Sequence, residues 1–514
     1  MSNVIKSART VGICILISRI TGLFRDVFSA KFFGTGAVWD AFLLAFAIPN
    51  LFRRMFGEGA LSSALVPAYS EFKLKGDAEK TSRFLGATFT AVILILTFVT
   101  VVGIFAALIV KKLIPLSEKW EFAIDLFPVM LPYVVPICLV ALVAAVLSCH
   151  GKFAIPALSP VILNIFWIAG LFIAVKIFST QREIAITLAS IILVAGFFQF
   201  LMQIPSLKTE KVKLPLRLDF KDPGLMLVRQ QWFPIAFSAA VMQVNILSDR
   251  LIAMGLVPDS GGVSTLYYAD RLLEFPLALV GIAAAIAALP SMSECIAKED
   301  SKGFAKIFID ISKSAIFISI PAAVGLAVLR TPIIRLLFER GEFTADSTKR
   351  TAVTLLCYAS SVWSYSLYHI TTRAFYSLKE SKIPARIGAF MVFLNISLNL
   401  ILVFPLAEAG IALATSITSI VNLVSLHWIL HRKVKDVKIW EIWRSLLGYA
   451  LLSIPMAAAS YGAYELVAGK FAEGFLAKLL EVILPVGAGM IVFIGGALIC
   501  KIPEAKSFFS GKRK

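Results

Sequence analysis

Apolar residues fall in long runs, and the polar residues collect in short stretches between them. A bilayer-crossing helix needs about 20 mostly apolar residues. On that measure the chain predicts fourteen spans, near 10–33, 38–68, 84–110, 122–149, 154–176, 183–206, 225–256, 263–293, 305–337, 347–377, 383–405, 409–430, 443–467 and 475–500. The fold class this predicts is an all-α polytopic membrane protein. The first two spans are the least hydrophobic, as expected of helices that line water. The run from Thr10 is broken by Arg19 and Arg25 and lacks a small-residue cleavage pattern, so it reads as a retained span rather than a signal peptide.

The pattern repeats. VPAYSE at 66–71 matches LPSMSE at 289–294, an offset of 223, and the same offset carries Asp26 onto Asp249. FAIPAL at 153–158 echoes SKIPAR at 381–386 at an offset of 228. Six spans separate corresponding points. An even number gives both copies the same orientation, so the repeats are parallel. The domain scheme this implies is a first lobe over 1–222, a second over 223–438, and two further helices with a tail over 439–514. Two six-helix lobes around a cavity are a transporter plan.

Composition fits: 59% of residues are hydrophobic and 16% charged, against about 25% charged in soluble proteins. The net charge of +18 would suit a nucleic-acid partner, but the basic residues lie mostly in short loops, where topology accounts for them. With the N-terminus in the cytoplasm, the inner loops hold 27 Lys and Arg and the outer loops 10, so the positive-inside rule places both termini in the cytoplasm. The loop 207–222, rich in both signs of charge, reads as a solvated linker near anionic headgroups.

Little here resembles catalysis. The six cysteines are scattered without metal-binding spacing and read as small hydrophobes. The four histidines make no cluster, and each Gly-Lys pair lacks the Walker A continuation. The chain is read as no enzyme.

The informative residues are charges inside spans. Arg19, Arg25, Asp26, Asp40, Arg53, Arg54 and Glu58 lie in the first two, and Asp270, Arg271 and Glu274 in the eighth. A charge at bilayer depth costs roughly 2.5–3.5 kcal/mol on insertion scales, so these residues face a wet cavity or a partner. Ser18 with Arg25, and Arg19 with Asp26, are seven apart and share faces of the first helix. Arg53 has Gly57 at i+4 and so reads as the freer donor of the second. Arginine outnumbers acid there, and its planar fork of donors matches phosphate. The candidate substrate-binding set is therefore Arg19, Arg25, Arg53 and Arg271, with Asp26, Asp40, Asp270 and Glu274 as acidic companions. The structural alternative is that they form ion pairs holding helices together. A second polar group, Asp249, Asn395, Asn399 and Thr415, offers oxygen ligands for a small hard cation, or interhelical hydrogen bonds.

The motifs SRxxGxxRD from Ser18, DAFxxAFxxPNxxRRxFxEGAxSxAxVP over 40–67, YYADRLxEFP over 267–276 and LFxRGxFT over 337–344 closely resemble the MurJ/MviN family. The resemblance covers nearly the whole chain. It implies a flippase for lipid II, the polyprenyl-diphosphate-linked peptidoglycan precursor, in the bacterial inner membrane. It further implies the multidrug/oligosaccharidyl-lipid/polysaccharide exporter superfamily, two lobes plus two extra helices, and the cell-wall synthesis machinery as partner. The family's cavity arginines would fall on Arg19, Arg25, Arg53 and Arg271, and a sodium site on Asp249, Asn395, Asn399 and Thr415. The rival readings are a flippase for another polyprenyl-diphosphate oligosaccharide, a cation-coupled drug antiporter and a membrane glycosyltransferase. The antiporter would want acids where arginines dominate. The glycosyltransferase would need a catalytic acid pair, and ERGEF at 339–343 reads better as a turn between helices.

Overall fold

The computed structural model describes residues 2–55, 60–277, 283–470 and 474–510. Every element among them is helical: α1 (Ser2–Phe33), α2 (Ala37–Phe52), α3 (Ala60–Leu74), α4 (Ala78–Leu113), α5 (Glu118–Met130), α6 (Val134–Ser148), α7 (Ala154–Ile177), α8 (Gln181–Thr209), α9 (Pro223–Leu256), α10 (Gly262–Leu277), α11 (Ala283–Ala297), α12 (Ser301–Val328), α13 (Arg330–Leu337), α14 (Ala345–Ala359), α15 (Val362–Ser377), α16 (Lys382–Lys433), α17 (Ile439–Val467), α18 (Phe475–Ile499) and α19 (Pro503–Ser510). The chain divides into two compact units, Met1–Leu251 and Ile252–Lys514.

These elements make the fourteen expected spans, with breaks that periodicity did not reveal. The second span contains α2 and α3, and the eighth contains α10 and α11, with residues 56–59 and 278–282 between them outside the described residues. The fourth is split by a 3-10 turn at Leu131–Tyr133, where Pro132 lacks the N–H an α-helix needs. The tenth is interrupted at Ser360 and Ser361. Spans eleven and twelve join with one non-helical residue, Ala407, between them. Gly410 would place a Cβ 2.1 Å from the Leu402 carbonyl oxygen. In an unbroken helix those residues would lie about 12 Å apart, so the chain turns sharply here and only glycine tolerates the approach. Eight helices among the described residues are long and apolar enough to cross a membrane as they stand. The spans missing from that set are the first, second, seventh, eighth and tenth, which are charged, polar or broken.

The internal repeat is present element by element. α3 and α11 end at an offset of 223, at Leu74 and Ala297, and carry prolines at the same offset, Pro67 and Pro290. α4 and α12 begin at the same offset, capped alike. Asp77 accepts from the Lys80 N–H and Asp300 from the Gly303 N–H, relieving one orphan donor of each first turn. The offset grows after the third span of each copy, where residues 114–117 correspond to the longer stretch 338–344; α7 and α16 then begin 228 apart. This three-residue insertion accounts for most of the growth. α17 and α18 stand outside the repeat, pack on each other, and extend the core of the second unit through Tyr449, Met456, Phe493 and Ala497.

Candidate functional site

In the first unit the site is built on α1, α2 and α7. Trp39, Phe42 and Trp167 are fully buried. Trp39 stacks on Phe33 and Phe42, while Phe42 and Phe46 meet Trp167 edge-on at 5.4 and 5.1 Å. Trp167 is fixed by its Nε1–H, which donates to the Ser29 hydroxyl at 3.0 Å. Its ring then lies 4.8 Å under the Arg25 guanidinium. Arg25 is buried and donates through Nε and Nη2 to Asp26 Oδ1 at 3.0 and 2.8 Å, and through Nη1 to Asn164 Oδ1 at 3.2 Å. Asn164 in turn donates to the Thr21 hydroxyl and the Ser18 carbonyl. A buried cation is thus held by a carboxylate, an amide and an indole face, each of which compensates part of its lost hydration.

Arg19 and Arg25, both in the candidate substrate-binding set, have different settings in the structure. Arg19 is exposed, with no hydrogen-bond or ion-pair partner among the described residues. Arg53 is half-buried and donates through Nε to Asn50 Oδ1 at 3.3 Å. Reading it as lacking a partner on its own helix was therefore wrong, because the partner lies three residues back. Tyr133, whose hydroxyl donates to Gln199, lies within Coulomb range of both Arg25 and Arg53. Asp40 is buried in the first turn of α2. Arg54 is exposed, and Glu58, four residues on and so on the same helix face, lies outside the described residues.

In the second unit Arg271 donates to Glu274 at 3.0 Å and to the Tyr267 hydroxyl at 3.3 Å, and its guanidinium lies 5.0 Å from the Tyr267 ring centroid. Asp270, beside it in sequence, is exposed. Asn395 and Asn399 are buried. Asn399 donates to Asn395 Oδ1 at 2.9 Å, and Asn395 to the Thr415 hydroxyl at 3.2 Å. Three of the four candidate cation ligands are thus linked by their own hydrogen bonds, with one amide oxygen already accepting. Asp249 belongs to the first unit and is half-buried. The described residues hold no group of three or more His, Cys, Asp and Glu placed to bind a metal.

A separate apolar cavity of about 440 Å³ lies among α12, α17 and α18, walled by Phe317, Pro321, Leu326, Met456, Val486 and Phe493. Ser460 contributes a polar group to its wall, and that hydroxyl is buried without a hydrogen-bond partner among the described residues.

Asn164, Trp167, Asn50 and Tyr267 were missed from sequence. The available signal was polar or amphipathic side chains inside apolar spans, Asn164 above all.

Comparison with known proteins agrees with this architecture. The family model for the lipid II flippase MurJ matches residues 29–481. A probable lipid II flippase MurJ from Vibrio cholerae is 36% identical over 440 residues, covering 83% of each chain. The lipid II flippase MurJ of Burkholderia cenocepacia is 32% identical over 430 residues, covering 82% of each. A solved lipid II flippase MurJ in an inward closed conformation superposes with a TM-score of 0.78 at 29% identity, over 96% of this chain and 98% of that one. A multidrug resistance MATE family transporter of the MOP superfamily, captured inward-facing, shares the fold at a TM-score of 0.69 and 15% identity, over 82% of this chain and 95% of that one. The chain belongs to the MurJ lipid II flippase family.

Proposed function

We propose that this protein carries lipid II from the cytoplasmic to the outer leaflet by alternating access, and that Arg19, Arg25, Arg53 and Arg271 contact the diphosphate. Family membership supports the substrate, and the observation that carries the arginine reading is the buried Arg25 with its ready-made oxygen partners. A diphosphate cannot cross hydrocarbon unaided. It needs donors that replace its hydration, and charge-assisted hydrogen bonds are the strong ones. Asp26 and Glu274 then have a physical role, which is to satisfy Arg25 and Arg271 while no diphosphate is bound. Exchange of carboxylate for phosphate leaves these acids next to an anion, and their repulsion favours release. Arg19, which is exposed, accepts phosphate at less cost. A ligand held more tightly in one conformation shifts the equilibrium toward it, which is what alternating access requires.

The apolar cavity beside α17 and α18 suits a section of the polyprenyl tail, leaving the charged headgroup to the arginines. Both termini and the 207–222 loop lie in the cytoplasm in this reading. Sodium remains a candidate coupling ion at Asp249, Asn395, Asn399 and Thr415; the hydrogen bonds among the last three favour their role as interhelical ties.

The test is leaflet accessibility of labelled lipid II in cells depleted of this protein and complemented with variants. Arg19→Ala and Arg53→Ala each lose a charge-assisted bond of about 1.5–3 kcal/mol, so flipping falls roughly ten- to hundredfold while membrane abundance stays near wild type. Lysine at either position restores part of the loss, because charge returns without the fork. Normal flipping by both alanine variants would overturn the arginine reading.

A further inference from the structure

The segment 210–221 turns at Glu210–Lys211 and at Phe220–Lys221 with neither helix nor strand between, yet it is fastened to the first unit along its length. At its start Glu210 accepts from Lys152 and pairs with His150, whose other ring nitrogen meets the Tyr69 hydroxyl at 2.8 Å. Further on, Ser82 donates to the Lys213 carbonyl, and the Arg217 N–H donates to Thr90. Between those two bonds the Pro215 carbonyl lies where any side chain at Gly86 would sit, 2.3 Å from the Cβ position. Ser82, Gly86 and Thr90 are four apart and form one stripe of α4. At the far end Asp222 caps α9 through the Gly224 and Leu225 N–H groups. This is a strap rather than a loose linker.

Its outer side is unusual for a segment in water. Exposure alternates from 216 to 220, and Leu216, Leu218 and Phe220 take the outward positions at 81%, 73% and 57% exposure. Lys208, Lys211, Lys213 and Lys221 flank the row and are exposed too. Three bare apolar side chains edged by lysines, on a protein already embedded in a bilayer, match a surface that offers hydrocarbon next to negative charge. Cytoplasmic leaflets rich in anionic lipid present that combination.

We propose that the strap is a membrane-interface anchor: Leu216, Leu218 and Phe220 enter the headgroup–acyl boundary of the cytoplasmic leaflet, and the lysines bind anionic phospholipid headgroups. The assignment rests on the cytoplasmic placement of this segment and is independent of which cargo the cavity carries. Because the strap is tied to α4, α8 and α9, leaflet charge acts directly on the ends of three helices.

The probe is the full-length protein in nanodiscs of phosphatidylcholine alone or mixed with phosphatidylglycerol. Hydrogen–deuterium exchange over 211–221 in the wild type should slow when phosphatidylglycerol is present, and high salt should reverse part of that protection. Native mass spectrometry should show preferential retention of phosphatidylglycerol. That preference should fall about fivefold for each lysine removed in Lys211→Gln and Lys213→Gln. The triple change Leu216→Ser, Leu218→Ser and Phe220→Ser should speed exchange in both lipid mixtures. Equal exchange and equal retention in the two mixtures would overturn the proposal. So would inorganic phosphate competing as well as the lipid, which would mark a free-anion site. If the lysine variants do not fold, the wild-type exchange comparison decides alone. Lipid II flipping is read separately, so failure of the anchor and failure of the transport reading give different results.

Discussion

The two repeats share a scaffold and differ in chemistry at matched positions. At the 223 offset Asp26 corresponds to Asp249, but Arg25 corresponds to Ser248 and Arg19 to Met242. At the 228 offset Trp167 and Leu171 correspond to Asn395 and Asn399. All four of these are buried, on the same face of equivalent helices. In the first unit that face gives an indole under a guanidinium; in the second it gives an amide ladder reaching Thr415. Caps, prolines and apolar spans specify the helices, and a handful of substitutions specifies what each copy binds.

Breaking the first-unit arrangement should have the largest effect. Arg25→Ala leaves Asp26 buried without its main cation, and removing one partner of such a pair costs about 3–5 kcal/mol. Thermal melting of the purified variant should show a large drop, partly recovered in Arg25→Ala/Asp26→Asn. Arg25 therefore differs from Arg19 and Arg53, whose alanine variants should lose transport at near-normal stability. A stable Arg25→Ala protein would mean that the pair is not the anchor of α1.

The second-unit ladder should be more forgiving. Asn399→Leu imports the residue found at the matching position of the first unit and removes one hydrogen bond, worth about 0.5–1.5 kcal/mol net. If the ladder is structural, wild-type melting is the same in sodium and potassium salts. A sodium-dependent rise that Asp249→Asn abolishes would instead make these residues a cation site.

The shared scaffold can be sharpened with its matched caps. Asp77→Ala and Asp300→Ala should each cost about 1 kcal/mol, and the two melting shifts should agree closely if the caps are equivalent. The smallest effect concerns pH. Lys152 and His150 hold the Glu210 carboxyl below the usual carboxylate range. A depressed pKa adds stability at neutral pH that is lost as pH falls through the folded-state value. The melting difference between wild type and Glu210→Gln should therefore vanish in acid and be present at neutral pH.

Much of the fold was legible because it is written locally. Apolar run length gave the spans, and the matched segments VPAYSE and LPSMSE gave the duplication. The breaks at Leu131–Tyr133 and at Ser360–Ser361 were not, since the apolar runs carry on through them. The site was legible as charge out of place. Its partners were hidden: Asn164 lies 139 residues from Arg25, and no spacing rule reaches so far. Asn50 could have been found, three residues before Arg53, had partners been sought backward along the helix as well as forward.

The turn at Ala407 constrains how the protein is made. Its backbone sits at φ 49°, and the following acid, Glu408, is buried against Arg350 at 2.8 Å. No free stretch of chain separates spans eleven and twelve, so the ribosome delivers them within one uninterrupted length of 52 residues. With one non-helical residue between the two spans, the tip of the pair has no room for a protease site, an epitope or a sugar.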